Sequence, residues 1–344
     1  MPRVGFIAIV GRPSSGKSTL LNAICGHKIS IVSPTPQTTR NKIRGILTDE
    51  RGQIVFLDTP GFHNSGRKFN LHLREIVTES LNEVEGVLYL LDATRRPGEE
   101  ESQLAEVLQS VSVPVVCAVN KVDHDDADPE VARGFLAEHL PIAGTPGAAT
   151  PAAAPPGAEA PPPAGEREIH EVSALSGTGV SELTSALFSH LEEGEYYYPD
   201  EFYTDQDPGL RIAEVVREKA ISQLMQEIPH ALYVEISDME MREARGGGSG
   251  DNPGAPGGGA PDGRDARRGG RTGEHLWVRA FVTVERESQK GIVIGHGGER
   301  IRSVRLESEA ELAELFPYPV KLDLRVKVQP KWRTNDTLLS RIVR

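Results

Sequence analysis

Short apolar runs, each followed by a polar turn, divide the first half of this 344-residue chain at regular intervals. Runs of this length without apolar–polar alternation are typical of strands buried on both faces of a parallel sheet. The predicted strands are Phe6–Val10, Ile54–Leu57, Val87–Leu91, Val115–Val119 and Ile169–Val172. The predicted helices are Ser18–Cys25, Leu71–Val84, Gln103–Gln109, Glu130–Leu140 and Val180–Leu191. This alternation predicts a doubly wound α/β domain with a mainly parallel sheet, whose ligand lies at the carboxyl ends of the strands.

A different pattern begins after Tyr198-Pro199, and we place a domain boundary near residue 203, which gives domains 1–203 and 204–344. The second domain is predicted to be α+β, with the order helix, two strands, two helices and a last strand. Its predicted elements are a helix at Arg211–Glu227, strands at Leu232–Ser237, Leu276–Glu285 and Val320–Val328, and a glycine-rich turn inside helical sequence before the last strand.

Two stretches of low complexity interrupt these domains, at about 143–164 and 246–273. The first is rich in proline and alanine, and the second is mostly glycine and small polar residues. Neither contains enough apolar side chain to offset the entropy of ordering it, so both are predicted to be disordered insertions.

Composition excludes several classes of protein. No apolar run approaches the roughly 18 residues that cross a bilayer, and the N-terminus has no signal-peptide pattern. Cys25 and Cys117 stand alone in apolar surroundings without a CxxC pair, and the ten histidines are scattered, so neither a disulfide framework nor a zinc finger is predicted. A reducing cytoplasm fits this cysteine usage best.

Residues 11–18, Gly-Arg-Pro-Ser-Ser-Gly-Lys-Ser, match GxxxxGK[ST] between the first predicted strand and helix, which is the context that a phosphate-binding loop requires. In such a loop backbone N–H groups surround the β-phosphate, Lys17 reaches the β and γ oxygens, and the Ser18 hydroxyl binds Mg²⁺. The candidate phosphate-binding residues are Gly11, Ser14, Ser15, Gly16, Lys17, Ser18 and Thr19.

The choice of base is predicted from Asn120-Lys121-Val122-Asp123, directly after a strand. The Asp123 carboxylate can accept hydrogen bonds from N1–H and the exocyclic amine of guanine, and adenine offers neither donor. Asn120 would fix the loop and face the other edge of the base, and the Lys121 stem would cover one of its faces. Ser173-Ala174 follows the last strand, where the Ala174 N–H could meet guanine O6.

The remaining nucleotide contacts are predicted around the γ-phosphate. Asp58-Thr59-Pro60-Gly61 follows a strand, which places Asp58 to hold Mg²⁺ through water and the Gly61 N–H near the phosphate. Thr38 or Thr39 can add a hydroxyl to the metal when triphosphate is bound, and we favour Thr39. Lys17, Thr39 and Gly61 are therefore the candidate catalytic groups, and Ser18, Thr39 and Asp58 the candidate Mg²⁺ ligands.

Residues 292–301, Ile-Val-Ile-Gly-His-Gly-Gly-Glu-Arg-Ile, resemble the KH signature VIGxxGxxI. Glycines in such a turn let an RNA backbone approach closely, and the next helix presents free N–H groups to phosphates. The predicted element order and a net charge of +4 over 276–344 favour a KH domain over an ordinary turn between packed helices. The candidate RNA-binding residues are Gly295, His296, Gly297, Gly298 and Arg300.

The order and spacing of these motifs, with Pro-Gln-Thr-Thr-Arg at 36–40 and Asp-Thr-Pro-Gly-Phe-His at 58–63, resemble the bacterial Era family. The resemblance implies an α/β P-loop GTPase domain followed by a type II KH domain, GTP/GDP and Mg²⁺ as cofactors, and Thr39 as the switch threonine. It also implies 16S ribosomal RNA and the 30S subunit as partners, a role in 30S assembly, and a cytoplasmic location. Peripheral association with the inner face of the cell membrane stays open.

Two departures bear on the mechanism. Phe62 stands where Ras-like enzymes carry a water-orienting glutamine, so slow intrinsic hydrolysis is predicted. Ser14 stands where Era relatives usually carry an asparagine that helps to hold an activating K⁺. Both leave open an RNA-binding scaffold that uses GTP as a structural ligand. A tRNA-modification GTPase is disfavoured, because the chain lacks a cofactor-binding domain and a C-terminal cysteine motif.

Overall fold

The computed structural model describes residues 1–33, 41, 43–61, 77, 79–81, 83–140, 169–224, 232–243, 273–335 and 337–339. Several predicted features lie outside these residues. They are the insertion at 143–164, the insertion at 246–273 except for its last residue, Thr38 and Thr39, and most of the helix predicted at Leu71–Val84. The chain divides into two compact units, residues 1–207 with 331–344 and residues 208–330.

A seven-stranded sheet forms the centre of the first unit. Its strands are β1 (Arg3–Val10), β2 (Ile43–Asp49), β3 (Gly52–Asp58), β4 (Gly86–Asp92), β5 (Val115–Asn120), β6 (Ile169–Val172) and β7 (Glu192–Glu193). The order is β2-β3-β1-β4-β5-β6, with β7 antiparallel to β1. The β3-β1-β4-β5-β6 portion is parallel, which confirms the predicted doubly wound, mainly parallel sheet.

Strand β2 was not predicted as a separate strand. It pairs antiparallel with β3 at the edge of the sheet and carries intermediate as well as buried positions, so its sequence lacks the continuous apolar run of a central strand. The segment is recognised as a strand from its antiparallel pairing with β3.

The described helices of this unit are α1 (Lys17–Cys25), α2 (Glu99–Gln109), α3 (Pro129–His139) and α4 (Val180–Ser189). They cover the two faces of the sheet and divide the core between them. Leu20, Leu21, Leu183 and Leu187 are buried in one cluster, and Leu104, Leu108, Ala132 and Leu136 in the other. Because both faces are covered, the open edge at the carboxyl ends of the strands is where polar loops gather.

The second unit has the element order predicted for a KH domain. Helix α5 (Pro208–Gln223) is followed by β8 (Tyr233–Glu243), β9 (Glu274–Val284), α6 (Glu287–Ile294), α7 (Glu299–Leu315) and β10 (Val320–Val328). Strand β9 is central, antiparallel to β8 and parallel to β10. Alternate β9 residues, Val278, Ala280 and Val282, are fully buried in the core with residues of the helices.

The unit boundaries differ from the domain boundary that we placed near residue 203. The first unit extends to Asp207, and the described residues after Pro330 group with it and not with the second unit. Lys331 adopts a left-handed conformation, and the short helical turn after it contains the fully buried Trp332. A large aromatic residue such as Trp332 is expected to be buried, but the sequence does not indicate in which domain.

The described helices include none that is long and apolar enough to cross a membrane.

Candidate functional site

The loop of residues 11–16 joins β1 to α1 at the carboxyl edge of the sheet, and close packing fixes its shape. A Cβ on Gly11 would lie 2.4 Å from the Leu90 carbonyl oxygen. A Cβ on Gly16 would lie 2.2 Å from Nδ2 of Asn120, and Gly16 has a φ of +97°, in the left-handed region. Glycine is therefore required at both positions, and the loop presents its backbone where a phosphate would bind.

Lys17, at the first position of α1, turns its ammonium back onto this loop. Its Nζ donates hydrogen bonds to the carbonyl oxygens of Gly11, at 3.0 Å, and of Arg12, at 2.9 Å. Burial lowers the pKa of Lys17 from 10.5 to about 8, although the negative charges of Asp58 and Glu100 oppose that shift. An ammonium that is buried and hydrogen-bonded to two backbone carbonyls is suited to bind an anion, because phosphate oxygens would offset the cost of its burial.

We expect the stability of the nucleotide-free protein to rise between about pH 8 and 10.5 through Lys17. In that window the unfolded chain binds a proton that the folded chain has lost, so the contribution of Lys17 to the free energy of unfolding increases with pH, by about 3 kcal/mol in total. Urea unfolding of the unmodified protein and of Lys17→Met at both ends of the window measures this. The difference between the two proteins should change across the window, and a constant difference would contradict the assigned pKa.

Two hydroxyls converge on Asp58 at the end of β3. Ser18 Oγ and Ser30 Oγ each donate to Asp58 Oδ2 at 2.8 Å, and Asp58 and Ser30 are fully buried. A hard cation such as Mg²⁺ prefers oxygen ligands of this kind, so Ser18 and Asp58 fit the metal that the family implies. Ser30 was not predicted, because it follows no strand and belongs to no motif.

Gly61 lies against the phosphate loop. A Cβ there would come within 2.7 Å of the Cα and N of Pro13, so glycine allows the segment after β3 to contact the loop directly. Thr59 extends the connection, since its hydroxyl donates to the Ile9 carbonyl at 2.8 Å. The candidate switch ligand Thr39 and Phe62 lie outside the described residues.

The side chain of Asn120, at the end of β5, joins two other loops. Its Nδ2 donates to the Ser15 carbonyl and its Oδ1 accepts the Ala174 N–H, each at 2.9 Å. Asn120 thus connects the phosphate loop to the segment after β6. The Ala174 N–H, which is predicted to meet guanine O6, donates to Asn120 in this structure, and its contact with the base stays a prediction.

Two other residues of the base motif, Asp123 and Lys121, differ in their exposure to solvent. Asp123 is exposed, so its carboxylate is accessible to a ligand. Lys121 has a left-handed backbone with φ +68°, and its ammonium pairs with Asp92, a residue that lies outside the predicted motifs. The sequence could have indicated Asp92 as a site residue, because it ends β4 as Asp58 ends β3 and Asn120 ends β5, all at the same edge of the sheet.

Arg12 anchors the phosphate loop to the start of α2. Its Nη1 lies 2.7 Å from Glu101 Oε1, and the other oxygen of the Glu101 carboxylate accepts the Gly98 N–H at 2.8 Å. Glu101 is almost fully buried, so this pair is shielded from water. No local pattern indicates this pair, because 89 positions separate the two residues.

The predicted RNA-binding turn lies between α6 and α7 in the second unit. Gly295, Gly297 and Gly298 all have positive φ, at 76°, 57° and 82°, and a Cβ on either of the last two would meet nothing within 4 Å. His296 is exposed, and the N-terminus of α7 begins directly after the turn. The backbone here is open to a polyanion.

Arg300, which is predicted to bind RNA, also has a partner within the protein. Its Nη1 donates to the Ile292 carbonyl at 2.7 Å, so the guanidinium stabilises the end of α6. The Arg300 side chain also packs closely against the turn, since a Cβ on Gly295 would lie 2.7 Å from Arg300 Cβ. Arg300 thus contributes to the shape of the turn, and its contact with RNA stays a prediction.

Comparison with known proteins gives the family. Residues 6–121 match the model of the 50S ribosome-binding GTPase family, and residues 270–333 match that of the KH domain. GTPase Era from Treponema denticola is 41% identical over 338 residues, and the alignment covers 98% of each chain. The chain belongs to the Era family of GTPases. GTPase Era from Treponema pallidum is 42% identical, with 99% of this chain and 98% of that protein covered.

Solved structures of Era agree with this assignment. One, a complex with MgGDPNP and nucleotides 1506–1542 of 16S ribosomal RNA, has a TM-score of 0.79 at 28% identity and covers 99% of both chains. A second, a variant of Aquifex aeolicus Era bound to GDP and AlF4⁻, has a TM-score of 0.78 at 29% identity over 99% of this chain and 98% of that one. This Era-family protein is therefore a GTPase with a KH domain, and the predicted family and fold class are confirmed.

Proposed function

We propose that this GTPase is a Mg²⁺-dependent molecular switch that binds small-subunit ribosomal RNA through its KH domain and assists assembly of the 30S subunit. The similarity to the Era complex with a 16S RNA fragment, over 99% of both chains, is the observation that carries the proposal. The open glycine turn at 295–298 supports it from within this chain.

The residues of the nucleotide site contribute binding and orientation. The backbone of residues 11–16 surrounds the phosphates, and Lys17 exchanges its two carbonyl partners for phosphate oxygens. Ser18 and Asp58 would hold Mg²⁺, which supplies positive charge where negative charge develops on the phosphates. Phe62 stands in the sequence where Ras-like enzymes carry a water-orienting glutamine, so we expect a slow intrinsic rate that depends on positioning.

Specificity for guanine is assigned to Asp123. Asp123→Asn should move preference from guanosine to xanthosine nucleotides, because the amide replaces one acceptor with a donor that matches the second carbonyl of xanthine. We expect affinity for guanosine nucleotides, GDP included, to fall by about a hundredfold or more. Calorimetry with GDP and XDP measures both, and unchanged GDP affinity would remove Asp123 from the base site.

The effect of K⁺ depends on Ser14. Its hydroxyl lacks the reach of an asparagine carbonyl, so exchanging Na⁺ for K⁺ should change hydrolysis little, and Ser14→Asn should create K⁺ sensitivity. Ser14 has a φ of +65°, a conformation that asparagine adopts more readily than serine, so the variant should fold well. Strong K⁺ stimulation of the unmodified protein would contradict this prediction.

A ribosomal RNA partner supports the predicted cytoplasmic location, and peripheral membrane association stays a prediction. RNA crosslinking in cells, followed by sequencing, tests the partner, and the expected crosslinks lie near the 3′ end of 16S RNA. Single-turnover GTP hydrolysis with and without that RNA tests the switch. Crosslinks confined to other RNAs would refute the proposed partner without affecting the GTPase assignment.

A further inference from the structure

Asp92, the last residue of β4, carries a carboxylate with three donors around it. Oδ2 lies 2.6 Å from the Lys121 ammonium, and Oδ1 accepts the Thr94 N–H at 3.0 Å and the Thr94 hydroxyl at 2.7 Å. Only 2% of the Asp92 side chain is exposed, against 33% for Lys121. Burial by itself would raise the pKa of Asp92, but the hydrogen bonds from Lys121 and Thr94 outweigh it and lower the pKa, so the carboxylate is charged at neutral pH.

The segment that begins with Asp92 also supports the backbone of the base motif. The Ala93 N–H donates to the Asn120 carbonyl at 2.9 Å, and the Ala93 carbonyl accepts the Asp128 N–H at 2.8 Å. Residues 92–94 thus hold both ends of the loop that carries Lys121 and Asp123. These backbone hydrogen bonds fix the loop, and the Asp92–Lys121 ion pair fixes the side chain of Lys121.

We propose that Asp92 is a positioning residue for the guanine base, which anchors the Lys121 ammonium so that the Lys121 stem presents a preformed apolar face to the nucleotide. This inference rests on guanine binding by residues 120–123. Lysine is among the side chains with the most rotamer freedom, and ordering it on binding reduces affinity. An ammonium already held by a buried carboxylate has given up that freedom before the nucleotide arrives.

Asp92→Asn tests this role. The amide retains the shape of the side chain and an oxygen for Thr94 but loses the charge that holds Lys121. We expect the Kd for GDP to rise by about five- to tenfold, mainly through faster dissociation of a fluorescent GDP analogue. The rate of single-turnover hydrolysis at saturating GTP should stay within about twofold, because Asp92 contacts no reacting group.

Two controls separate positioning from general loss of structure. Inorganic tripolyphosphate has no base, so its affinity should be the same for Asp92→Asn and the unmodified protein. Glu171→Gln removes the partner of Arg133 in an exposed ion pair that includes no residue of the base motif, and should leave GDP affinity unchanged. Equal loss of affinity for GDP and tripolyphosphate would show that Asp92 only supports the fold.

The double variant decides whether Asp92 acts through Lys121. Lys121→Met keeps an unbranched apolar stem and removes the ammonium. In that single variant the Asp92 carboxylate is buried without its cation, and the double variant with Asp92→Asn removes this charge as well. In the Lys121→Met background we expect Asp92→Asn to change the Kd for GDP by less than about twofold. An unchanged Kd in the single Asp92→Asn variant, or a full effect in the Lys121→Met background, would overturn the proposal.

Discussion

Gly16→Ala should nearly abolish nucleotide binding, with an increase in Kd for GTP and GDP of about a hundredfold or more. The new Cβ would lie 2.2 Å from Asn120 Nδ2, and the residue would have to retain a φ of +97°. Either the phosphate loop or Asn120 must move. Because Asn120 also accepts the Ala174 N–H, a displacement would disturb the phosphate loop, the base motif and the segment after β6 together.

Gly26→Ala is the matched control for this variant. Gly26 ends the same helix with a φ of +66°, and a Cβ there would meet nothing within 4 Å. It therefore introduces backbone strain without the clash. Calorimetric titration with GDP should separate the two variants, with Gly26→Ala within about threefold of the unmodified protein. An affinity of Gly16→Ala that is also within about threefold of the unmodified protein would show that the contact with Asn120 does not limit nucleotide binding.

Gly297→Asp should reduce affinity for 16S RNA fragments by about a hundredfold and leave GTP affinity within a few-fold of normal. The side chain would enter open space, since a Cβ on Gly297 meets nothing within 4 Å, so the turn itself should survive. The negative charge would lie where RNA phosphates are expected. Stimulation of hydrolysis by RNA should disappear, while the basal rate remains, because every proposed nucleotide contact lies in the first unit.

Gly297→Asn isolates the contribution of charge. Asparagine has the size of aspartate and tolerates the φ of +57° about as well, but it is neutral. Filter binding with RNA fragments should place this variant between the unmodified protein and Gly297→Asp. RNA binding undiminished in Gly297→Asp would exclude the turn from the interface, and loss of GTP binding in the same variant would contradict the independence of the two sites.

Much of the architecture could be predicted from local patterns. Central strands such as β3 and β4 are buried along their whole length, and such strands appear in a sequence as continuous apolar runs. The phosphate loop and the base motif are contiguous, and each follows a strand, so their common position at one edge of the sheet was also predictable. Strand β2, at the edge, lacks the continuous run and was missed for that reason.

The sequence by itself determined the family and the two kinds of domain, and it predicts the residues that face nucleotide and RNA, because each of those signals lies within about ten consecutive residues. Only the tertiary structure decided which side chains hold one another. Asp92 with Lys121, Arg12 with Glu101 and Ser30 with Asp58 are separated by 29, 89 and 28 positions. It also showed that the Ala174 N–H and the Arg300 guanidinium already have partners within the protein. Hydrogen bonds and ion pairs form between atoms a few ångströms apart, and folding alone brings distant residues to that distance.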